Sequence, residues 1–241
     1  MKLVMVRHGQ SLWNKENLFT GWADVDLTEQ GKVEAIEAGK LLADYNFDRI
    51  FCSELTRAKE TLKGILSGKT TNAPIVYDWH LNERHYGTLE GLNKKDTAEK
   101  YGEEQVKIWR RSFDIPPPPL SDNDERYIAH QKKYPNLSLT ELPKSESLKD
   151  TLARVQPYWE NKIKPHLARE NILIVAHGNS LRALIKILEE IDDQKILEVN
   201  IPTGAPREYV FTKNLSLEKF GYLGNQDDIA KRAKEVANQA K

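Results

Sequence analysis

The sequence predicts an α/β domain of three layers, a mostly parallel sheet flanked by helices, with a helical and loop insertion capping one end. Three observations carry this. Short apolar runs alternate with helical stretches along the chain, the pattern of a parallel sheet covered on both faces. Two of those runs end alike: Leu3-Val4-Met5-Val6 passes into Arg7-His8-Gly9, and Ile172-Leu173-Ile174-Val175-Ala176 into His177-Gly178-Asn179. One stretch, about 81–143, breaks the alternation with charges, aromatics and the run Pro116-Pro117-Pro118-Pro119.

Taken in order, Leu3–Val6 reads as a buried strand closed by glycine, so His8 falls at a strand's carboxyl end, where open α/β sheets place their ligand crevices. Thr28 is suited to cap a helix reaching about Tyr45, with Val33, Ile36, Leu41 and Leu42 as its apolar stripe and Gly31 and Gly39 weakening it. Arg49–Cys52 reads as a second strand, followed by Ser53 capping a helix from about Leu55 to Leu66. Ile75–Tyr77 is a short third strand. Inside the insertion, helices are expected at about Lys94–Tyr101 and Glu103–Arg111, then a long irregular loop. The four prolines make a stiff extended segment. A helix covers roughly Ser147 to His166, interrupted by Pro157. The second histidine strand follows, then a helix from Ser180 to about Glu190 and a late strand at Glu208–Phe211. From Gly221 the chain is polar and rich in alanine and lysine, the composition of a mobile tail or, as the sharper reading, a lid. The whole, 1–241, reads as one domain, with an insertion at about 81–143 and a tail at about 221–241.

Composition narrows the function classes. Lys+Arg and Asp+Glu both number 36, so no global basic field points to nucleic acid or a membrane surface. A single cysteine, Cys52, excludes a disulfide within the chain and fits a reducing compartment. The start, Met1-Lys2-Leu3, lacks a signal-peptide layout, and no apolar run nears the ~20 residues that span a bilayer. A soluble protein acting in the cytoplasm is expected.

The two strand-end histidines suggest one phosphate-handling site, with one imidazole as nucleophile and the other as electrostatic partner. Phosphoryl transfer is mainly positioning and charge stabilisation, and His8 has Arg7 beside it with the amides of Gly9, Gln10 and Ser11 ahead. Arg57, in the first turns of a helix, is placed to grip an anion. Glu83, in Leu81-Asn82-Glu83-Arg84-His85-Tyr86-Gly87, suits a general acid and base if burial near phosphate raises its pKa towards neutrality. Lys94, Arg110 and Arg111 add three cations, on spacing alone solvated helix charges, and clamps if the insertion caps a doubly charged substrate. No H-x-x-x-H, H-x-H or Cys/His cluster occurs in the sequence, and no metal is expected.

Val6-Arg7-His8-Gly9-Gln10-Ser11 resembles the histidine phosphatase signature, and the chain is similar to that superfamily's cofactor-dependent phosphoglycerate mutase branch. The likeness runs over nearly the whole chain, through Trp13-Asn14, Phe19-Thr20-Gly21-Trp22, Ser53 to Ala58, Leu81 to Lys94, Arg110-Arg111, Ala176 to Arg182 and Ile201 to Gly204. The resemblance implies that His8 is the phosphorylated nucleophile, primed by 2,3-bisphosphoglycerate. It implies a phosphate pocket of Arg7, Arg57 and His177, and Glu83 as proton donor and acceptor. Substrate-binding positions would be Arg7, Gln10, Ser11, Asn14, Thr20, Gly21, Arg57, Glu83, Arg84, His85, Tyr86, Lys94, Arg110, Arg111, Gly178 and Asn179. The activity implied is interconversion of 2- and 3-phosphoglycerate in glycolysis and gluconeogenesis, without a metal, in a homo-oligomer (dimer or tetramer). A phosphatase or bisphosphoglycerate synthase on the same site is the rival, and a non-catalytic phospho-ligand binder a more distant one. Gln10 replaces a glutamate common among relatives, and Ala205-Pro206-Arg207 departs from their apolar versions.

Overall fold

The computed structural model of the chain describes residues 1–238. Its centre is a six-stranded sheet of β1 (Lys2–Arg7), β2 (Arg49–Cys52), β3 (Ile75–Tyr77), β4 (Ile172–Ala176), β5 (Pro206–Phe211) and β6 (Leu217–Tyr222), in the order β3-β2-β4-β1-β5-β6. The first four in that order run parallel, while β5 and β6 add an antiparallel edge. β1 and β4 are neighbours, with Arg7 opposite Ala176, and the His8 amide donates to the Ala176 carbonyl at 3.0 Å. The two histidine turns thus leave the sheet side by side.

Strand alternation builds the two faces. Leu3, Met5, Phe51 and Ile174 point to one face, against α7 (Leu148–Tyr158) and α9 (Gly178–Leu188). Val4, Val6, Ile50 and Val175 point to the other, against α2 (Glu29–Leu41) and α3 (Thr56–Ile65). Thr28 caps α2 as expected, its side chain accepting the Gly31 N–H. The expected apolar stripe of α2 is corrected: Val33, Ile36 and Leu41 are more than 40 % exposed, and only Leu42 of the four is buried. The packed face is Gly31, Glu34, Ala35, Ala38 and Gly39, because α2 lies so close to its neighbours that bulk is excluded. A Cβ on Gly31 would fall 2.1 Å from the Gln10 carbonyl oxygen, and one on Gly39 would fall 2.6 Å from that of Ile65.

Ser53 does not cap α3; Leu55 holds the N-cap position, with no side-chain cap. The expected helix at 147–166 is broken into α7, a π-helical turn at Trp159–Ile163 and α8 (Lys164–Leu167), with Pro157 and Pro165 on either side of the turn. Each proline lacks an N–H and crowds the carbonyl four residues back, so the register widens between them. β6 was missed from sequence: its charged, exposed face hides the alternation of an edge strand.

The insertion holds the two expected helices, α4 (Lys94–Tyr101) and α5 (Glu103–Arg111), and an unexpected α6 (Glu125–Lys133) capped by Asp124. Its long loop is held by a separate core of Trp22, Leu120, Tyr127, Tyr134 and Leu142. The proline segment is strapped down, Pro117 accepting the Ser145 hydroxyl and Pro118 the Thr88 amide. The polar tail forms α10 (Gln226–Asn238), pinned by buried Ile229 and by Arg232 donating to the Thr203 carbonyl at 3.2 Å. Residues 239–241 of that tail lie outside the described residues. No helix among the described residues is long and apolar enough to cross a membrane.

Candidate active site

A cavity of about 80 Å³ opens at the carboxyl ends of β1 and β4. Its floor is Arg7 and His8 from β1 and its turn, Arg57 from α3, Glu83 from the loop after β3, and Gly178 and Asn179 at the start of α9. Its upper wall is Lys94, Arg110 and Arg111 from the insertion, with Arg182 from α9 and Val236 from α10. Asn14, Leu18, Phe19, Thr20, Gly21 and Tyr86 complete it. His177 lies behind the floor, fully buried, its ring centroid 4.9 Å from that of His8.

His8 Nδ1 is 2.7 Å from the Gly9 carbonyl, which can only accept, so Nδ1 carries the proton and Nε2 keeps its lone pair. Burial first, then Arg57 and Arg7, hold the His8 pKa well below the usual histidine range, leaving the ring neutral and nucleophilic. Arg57 is anchored to the Gly21 and Ala23 carbonyls at 2.8 and 2.9 Å, and burial lowers it to about 10, so it stays charged. Arg7 donates to the Ile201 carbonyl at 2.7 Å. The Nε atoms of Arg7 and Arg57 are buried without a hydrogen-bond partner, the state expected of donors arranged for an anion.

Glu83 corrects an expectation. Burial pushes its pKa up, but the Arg84 amide, Arg7, Arg57 and the Asn179 amide outweigh it, and the net direction is down. Its Oε1 accepts the Arg84 amide at 2.8 Å and the Asn179 amide at 3.0 Å. It stands ionised, set to take a proton before giving one. The wall cations crowd one another: burial and Arg110 bring Lys94 down to about 7, burial and Arg111 bring Arg182 to about 9, and burial brings Arg110 to about 10.

Not every residue expected in the site lines it. The Gln10 amide donates to Glu34 and its side chain accepts from Thr28; Ser11 caps α1 (Leu12–Lys15). Arg84 donates to the Arg110 carbonyl and stacks on Tyr86, holding the wall from behind. His85 is fully buried below the loop, its amide donating to Glu146. Four contributors were missed: Arg182, Val236, Ser53 and Arg154. Arg182 lies four residues after Gly178, on the same face of α9, a spacing that could have exposed it. Arg154 donates to the His80, Asn82 and Glu83 carbonyls and pairs with Glu146, fixing the loop that carries Glu83. Cys52 is buried, and burial pushes its thiol pKa up, as an inert cysteine requires.

Among the described residues the fold does assemble one ligand-type cluster that sequence spacing hid: His85, Glu90 and His130, all buried. His85 Nδ1 accepts the Gly87 amide at 2.9 Å, which puts its proton on Nε2, 3.4 Å from His130 Nδ1. With both ring nitrogens so engaged, His85 has no lone pair for a metal ion. Glu90, raised to about 7 by burial, accepts the Trp22 and Tyr86 amides and braces the Gly21 turn. The cluster reads as hydrogen-bonded support for the cavity wall.

A doubly covered α/β sheet with a neutral histidine among buried arginines at its strand ends defines the class: a phosphoryl-handling enzyme of histidine type. The profile of the histidine phosphatase superfamily (branch 1) matches residues 3–216, and the chain belongs to that superfamily. Solved structures share the fold at low identity. The α-ribazole phosphatase of Shigella flexneri is 22 % identical, with 93 % of this chain and 96 % of that one covered and a TM-score of 0.66. A mycobacterial glucosyl-3-phosphoglycerate phosphatase complexed with VO3 is 21 % identical, with 92 % and 96 % covered and a TM-score of 0.70. The phosphoserine phosphatase of Entamoeba histolytica, in complex with 3-phosphoglyceric acid, is 19 % identical, with 93 % and 98 % covered and a TM-score of 0.62.

Proposed function

We propose that the chain is a phosphoglycerate mutase that interconverts 2- and 3-phosphoglycerate through phosphorylated His8, with 2,3-bisphosphoglycerate as priming phosphoryl donor. The observation that carries the reading is the upper wall. Lys94, Arg110, Arg111 and Arg182 face a cavity whose floor already supplies Arg7, Arg57 and His8. Such a cavity suits a small substrate anionic at both ends, where a simple monoester phosphatase needs only the floor.

The bisphosphate fits the same residues. Unpartnered Nε atoms of Arg7 and Arg57 would take one phosphate, and Lys94, Arg110 and Arg111 the other end, while a side chain at Gly178 would sit 3.5 Å from Glu83 Oε2 and fill the space. When bound, it supplies the phosphoryl group that charges His8. From phospho-His8, the Nε2–P bond breaks as a substrate hydroxyl oxygen bonds to phosphorus, and Glu83 takes the hydroxyl proton. After reorientation, His8 Nε2 attacks the other phosphoryl group and Glu83 returns the proton to the departing oxygen. Arg7 and Arg57 offset the charge on the transferred oxygens throughout. Val236 and the insertion close the upper side, which would limit attack of water on phospho-His8.

The test is incubation with 3-phosphoglycerate and a trace of 2,3-bisphosphoglycerate, with a metal chelator present. The expected product is 2-phosphoglycerate, and release of phosphate alone would overturn the proposal. A phosphatase is the second reading, and the likeness to the Shigella, mycobacterial and Entamoeba phosphatases favours it.

A further inference from the structure

The chain between α9 and β5 ends in a strap, residues 197–203, whose odd-numbered carbonyls each hold an arginine. The Leu197 carbonyl accepts Arg111 Nη1 at 3.5 Å, and the Val199 carbonyl accepts Arg182 Nε and Nη2 at 3.0 and 2.8 Å. The Ile201 carbonyl accepts Arg7 Nη1 at 2.7 Å, and the Thr203 carbonyl accepts Arg232 Nη1 at 3.2 Å. The donors come from four separate elements, α5, α9, β1 and α10. Successive residues of an extended chain face opposite ways, so one side of the strap is a row of acceptors. Val199 is extended, at φ −69° and ψ 114°. Pro202 is buried, and its ring fixes its own φ and keeps Ile201 out of the helical region. None of residues 197–203 lines the cavity.

Asn200 adds a side chain to this row. Its Nδ2 donates to the Glu198 carbonyl at 2.9 Å, which turns Oδ1 to accept Arg111 Nη2 at 3.1 Å. An arginine has five N–H groups, and the strap takes two each from Arg111 and Arg182 and one from Arg7. Each guanidinium is held, yet keeps donors for a ligand.

We infer that residues 197–203 are a positioning element of the anion site, fixing the guanidiniums of Arg7, Arg111 and Arg182 relative to one another, and that Asn200 is a positioning residue acting through Arg111. Burial disfavours the charge on all three arginines. Carbonyl and carboxamide oxygens offset that with dipoles, whereas carboxylates in the same places would cancel the charge and repel the ligand. A guanidinium held beforehand also loses no further rotamer freedom when an anion binds. The inference deepens the proposed function and rests on it for the ligand that reaches Arg111, 3-phosphoglycerate.

Binding of 3-phosphoglycerate is measured by calorimetry on the full chain as wild type, Asn200→Ala, Arg111→Ala and the double variant. Asn200→Ala should weaken binding about threefold to tenfold, the worth of ordering one long side chain, with Tm little changed. In the Arg111→Ala background the same substitution should change nothing, because its effect passes through that guanidinium. An equal loss in both backgrounds, or unchanged affinity in Asn200→Ala, would overturn the inference. Pro202→Gly removes both backbone restrictions beside the Ile201 carbonyl and should weaken sulfate, a dianion small enough for the floor arginines alone, by about threefold or more. Sulfate affinity equal to wild type would overturn the role given to the strap. Calorimetry reads binding whatever the product, so release of phosphate in place of 2-phosphoglycerate would sink the mutase reading and leave this inference standing.

Discussion

The floor and the upper wall of the cavity are built by different means. On the floor, His8 and His177 follow adjacent strands of one sheet, and Arg57 lies in the first turn of α3, the helix that follows β2. Their placement comes from the α/β alternation itself. Three of the wall cations, Lys94, Arg110 and Arg111, come from the insertion, whose helices rest on a small core around Phe19, Leu89, Ala98 and Val106, and the fourth, Arg182, comes from α9. On the proposed function, the floor bears the reaction and the wall selects the substrate, so the superfamily signature lies in the floor and substrate choice would lie in the wall.

Variants can break or sharpen that division. His8→Ala should abolish acid-labile phosphoryl incorporation from bisphosphate while leaving 3-phosphoglycerate binding measurable by calorimetry, since the wall is untouched. Incorporation retained in that variant would remove His8 from the nucleophile role. Glu83→Gln should slow hydroxyl phosphorylation by about 10²- to 10⁴-fold, the usual worth of a positioned base, when kcat is compared at saturating substrate. On the wall, Arg110→Ala or Arg111→Ala should act on KM more than on kcat. A charge-assisted hydrogen bond is worth about 1.5–3 kcal/mol, so KM should rise about tenfold to a hundredfold. A kcat loss as large as that of Glu83→Gln would dissolve the distinction.

Lys94 gives the wall a pH signature. Burial and the neighbouring arginines lower its pKa to about 7, so it is charged below that value and largely neutral above it. An anion favours the charged form, so binding must take up a proton at higher pH. Affinity for 3-phosphoglycerate should fall by up to about tenfold per pH unit above 7, and Lys94→Met should flatten this limb. The smallest expected effect lies outside the cavity. Gly31→Ala forces α2 off the Gln10 backbone, and overpacking of this kind costs about 1–3 kcal/mol, readable as a lowered Tm with kcat little changed.

Much of this was legible in the residues. The two histidine strands, the parallel sheet, the Thr28 cap and both wall helices follow from periodicity and caps, which are local. Misreadings arose where a distant partner decides. Gly31 and Gly39 looked like weak points of α2 and are its contact face, because what matters is how near α3 and the Gln10 loop approach. Ser53 looked like a helix cap until His177 and Asn82 were brought to it by β4 and the loop after β3. Glu83 looked like a raised carboxyl because burial is foreseeable, whereas the two amides and two arginines that reverse the shift arrive from separate elements.

By itself, then, the sequence determined the class of architecture, the superfamily signature around His8 and His177, and the set of cations available for a phosphate ligand. Those depend on hydrophobic periodicity and residue type, which are properties of short stretches. Only the tertiary structure decided which of those groups line one cavity, which nitrogen of His8 carries the proton, and which way the Glu83 pKa moves. Each of these is set by desolvation and by atoms within a few ångströms that the chain supplies from far apart in sequence.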